Sequence, residues 1–313
     1  MENPFELSAD NKRYLTYNYY LRRRFGEKVI KISLNGGFSC PNIDGRKGFG
    51  GCTYCSPEGS GEFAGNPQDD VATQFEQVKK RLSTKWEGVY IPYFQANTNT
   101  YAPLSRLKKL YEAALSQENV VGLSISTRPD CIEDDVADYL AELSKKTYLT
   151  VELGLQTIHD ETAKKINRCH TYAEFLEGYE KLHSRGINVC VHLIDGLPKE
   201  TKEMMIETVE KVAKLDIHAV KIHLLHVISG TKLAEEYARG EFSTLELFDY
   251  VDIVCDQIER LPKNVIIERV TGDGESESLV APLWSRKKLV VMNEIDKELL
   301  RRKSWQGRLF SGN

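Results

Sequence analysis

No run of eighteen apolar residues occurs anywhere in this 313-residue chain, so no membrane-spanning helix is expected. The opening residues, MENPFELSADNKRY, carry early acids and lack an apolar core, so no export signal is expected either. Internal repeats, low-complexity tracts and Pro/Ser-rich linkers are missing too. An excess of positive charge is absent: 42 Lys and Arg stand against 46 Asp and Glu, a net charge of −4. That excludes a surface coated with nucleic-acid-binding cations, while leaving room for a local basic patch. The seven cysteines are odd in number and scattered, which does not suit a disulfide framework. These absences describe a cytoplasmic protein with no membrane partner. The composition, 41% hydrophobic and 28% charged, is enough for a large core, and the length suits one α/β barrel or two ordinary domains.

Against this background one stretch stands out, CPNIDGRKGFGGCTYC, in which Cys40, Cys52 and Cys55 are spaced C-x11-C-x2-C. Four glycines (Gly45, Gly48, Gly50, Gly51) let the loop take backbone angles that other residues avoid and turn several side chains inward. Thiolates are soft ligands, and clustered cysteines in a reducing compartment point to zinc or iron–sulfur. A structural zinc site closes with four protein ligands, whereas a cubane held by three cysteines leaves one iron open. Three alternatives stay open on spacing alone: zinc completed by His170 or His192, a redox C-x-x-C pair, or simply buried thiols.

Residues 13–25 place Tyr14, Tyr17, Leu21 and Phe25 at helical spacing beside Arg22, Arg23 and Arg24. They predict either an amphipathic helix closing a barrel floor or a basic, aromatic surface for RNA. Strand-like runs then begin near Val29, Val89, Val120, Leu149, Ile187 and His218. Between them lie helical stripes at Ile132, Val136, Leu140 and Leu143, at Phe175, Tyr179 and Leu182, and at Met205, Val209 and Val212. Thr171 and Glu174 form a capping box and Gly186 a C-terminal stop. After a first interval that holds the cysteine loop, strand starts fall 29 to 38 residues apart, the length of a βα unit. The pattern predicts an α/β fold, a partial (βα)6 TIM-like barrel over 29–230. An N-terminal helical extension (1–28) precedes it, and a C-terminal α-rich extension (231–313) closes it. Within that extension, 244–260 reads as a helix, Val265–Val270 as a short strand, TGDGESESLVAPLW as a loop and 286–303 as a basic helix.

Side chains alternate along strands. One face is aliphatic: Val121, Leu123 and Ile125; Val151, Leu153 and Leu155; Val189, Val191 and Leu193; Val220, Ile222 and Leu224. The other carries Ser124, Ser126, Glu152, Gly154, Gln156, Cys190, His192, Lys221 and His223. Two readings of the polar face stand, the solvent side of an open sheet or a lumen. Parallel sheets with helices between their strands are normally covered on both faces, which favours a lumen that holds a polar ligand and water. The cysteine loop follows the first strand, at the end where barrel enzymes place their chemistry.

At this point a family resemblance enters. The three-cysteine loop with Tyr54 before its last cysteine resembles the radical S-adenosylmethionine (SAM) superfamily, and its long first gap is similar to that of the elongator catalytic subunit. YFQANTNTYAP, STRPDC, ELGLQT, NRCH, HLIDGLPKE and KIHLLHV resemble the small radical SAM proteins of the YtqA/YhcC-like family over nearly the whole chain. The resemblance implies a [4Fe–4S] cluster on Cys40, Cys52 and Cys55, with SAM on the open iron. One-electron reduction then cleaves SAM to methionine and a 5′-deoxyadenosyl radical that abstracts hydrogen from a substrate. It also implies Tyr54 near the adenine and Gln95, Asn97 and Thr98 around the SAM amino group, where relatives carry a glycine-rich turn. Ser126 stands where relatives often have an acid, Gln156 at a ribose-contacting glutamine, and Arg168 at the SAM carboxylate. His192 stands at a SAM-contacting aspartate of the coproporphyrinogen-oxidising relatives, or is a satisfied core histidine. Cys169 lies where relatives often have glycine and reads as an inert thiol, and His223 is a candidate for touching substrate.

Three functions follow as expectations. The first is a radical SAM enzyme modifying tRNA at C5 of the wobble uridine, fed by a flavodoxin- or ferredoxin-type electron donor, with basic groups at both termini (Arg22–Arg24, Arg301–Lys303). The second is an oxidoreductase acting on a small molecule such as a tetrapyrrole, and the third a zinc-stapled binding protein without enzymatic activity. No acetyltransferase pattern or second cysteine cluster is visible.

Overall fold

The β-branched and aromatic runs do form strands, alternating with helices whose apolar stripes face them. A computed structural model describes residues 3–8, 12–59, 61–272 and 277–312. In chain order it has α1 (Tyr17–Phe25), β1 (Val29–Leu34), α2 (Val71–Ser83), β2 (Val89–Phe94), α3 (Leu104–Leu115), β3 (Gly122–Thr127) and α4 (Asp134–Ser144). Next come β4 (Tyr148–Gln156), α5 (Asp160–Lys165), α6 (Tyr172–His183), β5 (Asn188–Asp195), α7 (Lys202–Val212) and β6 (Ala219–Leu224). The remainder is β7 (Val227–Ile228), α8 (Lys232–Ala238), α9 (Leu247–Arg260), β8 (Ile266–Arg269), β9 (Leu279–Ala281) and α10 (Lys288–Arg301). No helix among the described residues is long and apolar enough to cross a membrane.

Strands β1 to β6 pair in sequence order, all parallel, which is what successive βα units produce. A seventh strand, β8, adds to β6 in parallel, so the sheet runs one strand beyond the six expected. The sheet curls until side chains of its two edge strands meet, Lys31 on β1 reaching Glu268 on β8 at 2.8 Å, while Thr16, just before α1, bridges Ile267 of β8. The C-terminal extension therefore closes the open side of the half barrel with a strand, while α9 and α10 cover its outer face through Tyr250, Val254, Ile258, Ile295 and Leu299. Of the TGDGESESLVAPLW stretch, 273–276 lie outside the described residues; Leu279–Ala281 is β9, antiparallel to β7.

The outer face of the sheet is the aliphatic one. Leu123, Val151, Leu153, Val191 and Ile222 are buried against Val136, Leu140, Phe175, Tyr179, Val209 and Val212 of the helices. Val121 departs from that list; it precedes β3 and packs in the floor with Leu21, Val29, Ile91 and Tyr148. Those partners include the first residues of β1 and β4, so α1 closes the N-terminal end of the barrel, with Arg22, Arg23 and Arg24 exposed on it. The Thr171–Glu174 capping box forms, and Gly186, at φ +71°, completes the turn after α6.

At the end of β5 the outer face turns polar. Asp195 is buried under α9, where its Oδ1 accepts from Gln257 Nε2 at 2.8 Å and its Oδ2 has no hydrogen-bond partner. Burial raises its carboxyl to about 7, against the opposing pull of Gln257. A folded-state pKa above the unfolded value means the folded chain holds the proton longer. Stability is then full below the unfolded carboxylate range and falls as pH rises through about 7. Asp195→Asn removes this dependence: urea unfolding should show the variant gaining on the parent between pH 5 and pH 8, by on the order of 1–3 kcal/mol. A gap that stays constant across that range contradicts the burial argument.

Candidate cluster site at the rim of the half barrel

The cysteine loop leaves the C-terminal end of β1 and is stitched down on every side. Within it, Ile43 and Asp44 N–H donate to Cys40 O, Gly51 N–H to Asn42 O at 2.8 Å, and Cys55 N–H to Cys52 O at 3.1 Å. Gly45, Gly50 and Gly51 are left-handed, and Gly48 is needed for space: a Cβ there would lie 2.4 Å from Asn42 Oδ1 and 2.7 Å from Cys169 Sγ. The turn after β2 sits beside both ends of the loop. Thr98 N–H donates to Ser39 O at 3.3 Å and Asn97 N–H to Gly59 O at 3.0 Å. Gln95 N–H donates to Leu34 O at 3.3 Å. The structure thus brings Thr98 to the residue before Cys40 and Asn97 to the segment after Cys55, with Gln95 at the end of β1.

On the far side the loop is held by residues 166–170. Thr53 N–H donates to Ile166 O at 3.0 Å, and Asn167 Nδ2 donates to Phe49 O at 3.0 Å and Gly51 O at 2.7 Å. Asn42 Nδ2 donates to Asn167 O and also points at Cys52 Sγ, 3.6 Å away. Arg128, from the end of β3, donates to Arg168 O at 2.8 Å and Cys169 O at 3.3 Å, while Asp130 neutralises it in a two-pronged pair at 2.9 Å. The Cys55 thiol against it, and then Arg128, Tyr54 and Asn42, bring the Cys52 thiol down to about 6 in spite of burial. Tyr54 packs against the small apolar cluster that includes Ile166, Leu197 and Leu225, with Cys52 and Cys55 as neighbours that help burial hold its phenol protonated.

Among the described residues no three His, Cys, Asp or Glu side chains converge closely enough to hold a single metal ion. Neither histidine named for a zinc site joins the cysteines. His170 is held neutral, pushed down to about 2 by burial and by Arg168 and Arg128. His192 Nε2 lies 2.8 Å from Glu152 Oε2 inside the barrel. Cys40, Cys52 and Cys55 are free thiols on one glycine-rich loop, with Cys52 and Cys55 in contact, the donor set that a cluster with one open iron would need. Cys131, Cys190 and Cys255 are buried, and burial raises their thiols. Cys169 is half-buried at φ +59°, its thiol turned to Asn167 Oδ1 at 3.3 Å.

Below the loop the inner face of the sheet forms a charged, hydrogen-bonded lumen. Glu152 is fully buried, with Lys31 at 2.7 Å, Lys221 in contact and His192 beside it. Glu268 completes the balance, 2.8 Å from Lys31 and 3.7 Å from Lys221, and Tyr93 lies under both ammonium groups. Burial would raise the Glu152 carboxyl, but Lys221 and Lys31 hold it well below the usual carboxylate range. Burial, with Lys221, lowers His192, and burial, with His192, lowers His223 further, so both imidazoles are neutral. Their rings stand 5.1 Å apart, and His223 Nε2 is buried without a hydrogen-bond partner. Ser126 lines the same lumen beside Tyr93, its carbonyl accepting from Asn99. His192 is thus bound to Glu152 through Nε2 in the lumen.

Arg168 also needs correction. Its guanidinium is buried and donates to Leu155 O, to Thr157 O at 2.6 Å, and to His170 O at 3.0 and 2.8 Å, with Asp160 at 3.7 Å. Its donors are committed to backbone oxygens and to Asp160, so it presents no open fork to a carboxylate. Gln156 sits at φ +64°, its amide folded back over Gly154. The residues that sequence reasoning passed over are Asn42, Arg128, Asn167, Lys31 and Glu268. Arg128 and Asn167 fall within STRPDC and NRCH, and that placement was the signal available for them.

These features have known counterparts. Residues 44–212 match the family model described as the radical SAM superfamily, and 217–301 match the radical SAM C-terminal domain. The chain belongs to the radical SAM superfamily, whose members use a [4Fe–4S] cluster and SAM and are in general enzymes. Within it, the chain is 52% identical over 309 residues to YtqA of Bacillus subtilis, covering 98% of this chain and 96% of that one. It is 39% identical over 285 residues to YhcC of Escherichia coli, covering 89% and 90%. To the tRNA uridine(34) acetyltransferase of Methanocaldococcus jannaschii it is 31% identical over 174 residues, 54% of this chain but 31% of that one. The solved structure of Methanocaldococcus infernus Elp3 with an N-terminal deletion superposes with a TM-score of 0.67 at 20% identity, covering 89% of this chain and 64% of that one. That likeness shows the fold.

The ligand assignment makes a sharp forecast. Cys52→Ala should drop iron in anaerobically reconstituted protein from about four atoms per chain to under one and remove the visible cluster absorption. Cys169→Ala should keep both, and circular dichroism should show both variants folded. Full iron in Cys52→Ala, or its loss in Cys169→Ala, contradicts the assignment.

Proposed function

We propose that this chain is a radical SAM enzyme acting on tRNA at the C5 substituent of the wobble uridine, with Cys40, Cys52 and Cys55 as the cluster ligands. The [4Fe–4S] cluster that Cys40, Cys52 and Cys55 would hold would supply the one-electron reductive cleavage of SAM to methionine and a 5′-deoxyadenosyl radical, its electron coming from a reduced donor protein. The observation that carries the chemistry is the cysteine loop, pinned over a lumen lined by neutral imidazoles and balanced charges. The protein's own part is to orient SAM and substrate and keep bulk water from the reacting atoms. Tyr54, Gln95, Asn97, Thr98 and Ser126 are proposed to surround SAM, with Gln156 at its ribose. His223, with its buried Nε2, is proposed to face the substrate.

What supports the substrate is the similarity to the tRNA uridine(34) acetyltransferase, together with the surface of the cysteine loop. Residues 44–49 form a small hairpin in which Phe49, 79% exposed, lies over Gly45 and offers an open aromatic face. Unpaired bases stack on such faces. Arg46 and Lys47 stand at its tip, already paired with Glu133 at 3.7 Å and Glu174 at 3.1 Å. The terminal basic groups lend no support. Arg22, Arg23 and Arg24 lie at the floor, opposite the loop, and Arg301 and Arg302 are bound by Glu298, with Arg302 also on Asp252 and Asp256. A flavodoxin- or ferredoxin-type protein is the proposed electron donor.

Mass spectrometry of nucleosides from total tRNA of deletion and parent strains tests the substrate. Loss of one modified uridine and accumulation of its precursor is expected. An unchanged profile beside full SAM cleavage by the purified protein turns the reading toward a small-molecule substrate.

A further inference from the structure

We infer that Arg168 is a positioning residue: it holds Gln156 in a γ-turn of the rare positive-φ kind at the end of β4, and so presents the Gln156 amide to the cofactor. The inference rests on the proposed contact between Gln156 and the SAM ribose. Thr157 N–H donates back to Leu155 O at 2.8 Å, across a central residue at φ +64°. This three-residue turn strains any residue with a side chain, and it persists only where its surroundings over-determine it. Here one group supplies the determination. Arg168 Nη1 donates to both carbonyl oxygens that flank Gln156, those of Leu155 and Thr157, and its other edge grips His170 O. The turn coincides with a register shift between β4 and β5: Gly154 pairs with His192 and Gln156 with Leu193, so Leu155 is left out of the ladder. Gly154 leaves the space that the amide fills: a Cβ there would lie 2.7 Å from Gln156 Nε2.

The same segment is itself forced. Asn167 and Cys169 are left-handed at φ +53° and +59°, on either side of Arg168. Asn167 ties the segment to the cysteine loop, and Arg128 ties it to the end of β3. The planar five-donor fork can span two carbonyls on one side and a third on the other, which a lysine ammonium on a flexible stem does not do. Residues 167–169 therefore lock the loop of cluster ligands and the ribose-facing amide to one another.

The test is a double-mutant cycle on SAM affinity, measured by equilibrium dialysis on cluster-reconstituted protein, beside hydrogen exchange at the Thr157 amide in cluster-free protein. Arg168→Lys should weaken SAM about tenfold, the scale of one good hydrogen bond. It should have no further effect in the Gln156→Ala background, and it should speed Thr157 exchange. Gly154→Ala, which crowds the amide without touching Arg168, should weaken SAM similarly and be non-additive with Gln156→Ala. Arg168→Lys weakening SAM equally in both backgrounds places the guanidinium on SAM itself and overturns the inference, as does unchanged Thr157 exchange. Parental affinity in Gln156→Ala sinks the ribose contact instead, and the exchange data still judge the turn.

Discussion

A buried guanidinium that spends its donors on backbone oxygens is the constraint on which this rim depends. Carbonyls at the ends of parallel strands lose their ladder partners, and buried polar groups need replacements. Arg168 supplies them at the end of β4, and its neighbour Asn167 does the same for the cysteine loop through Phe49 O and Gly51 O. Without this segment, the eleven residues between the first two cysteines would be left with their own turns and the pairs from Arg46 to Glu133 and from Lys47 to Glu174. Independently of it, Thr53 ties the loop to Ile166, just after α5, and to Leu233 of α8, and Thr98 ties the residue before Cys40 to the turn after β2.

Beneath that rim, the barrel replaces the usual aliphatic filling with charge. Two lysines and two glutamates balance across the lumen, so the low-dielectric interior carries these four charges as ion pairs. The arrangement also joins the sheet edges, since Lys31 and Glu268 come from its first and last strands. Polar groups thus do the closing work that layers of branched side chains do in a closed barrel. Above them, His192 and His223 give the lumen neutral, hydrogen-bonding walls toward the cysteine loop.

Much of this was readable from the sequence because it is local. The Thr171–Glu174 box, the helical stripes and the alternation of Leu123, Val151 and Ile222 against Ser124, Glu152 and Lys221 depend on period and neighbours within one element. The seventh strand was visible as a strand, but its partner was not. Pairing β8 to β6 across two helices is a tertiary choice, fixed by Glu268 meeting two lysines. Arg168 was singled out for the right neighbourhood and the wrong contact. The family resemblance implied a guanidinium at the SAM carboxylate, and only the folded structure shows that backbone carbonyls consume it. The terminal arginines misled for a similar reason: charge in a sequence carries no information on which end of a barrel it decorates.

The central claim is an iron site left open by three cysteines and facing the lumen. Electron paramagnetic resonance of the reduced, reconstituted protein with and without SAM addresses it directly. The account predicts a [4Fe–4S]⁺ signal whose shape changes when SAM is added, because SAM takes the open position. A protein that instead binds a single zinc, or a cluster signal indifferent to SAM, contradicts it.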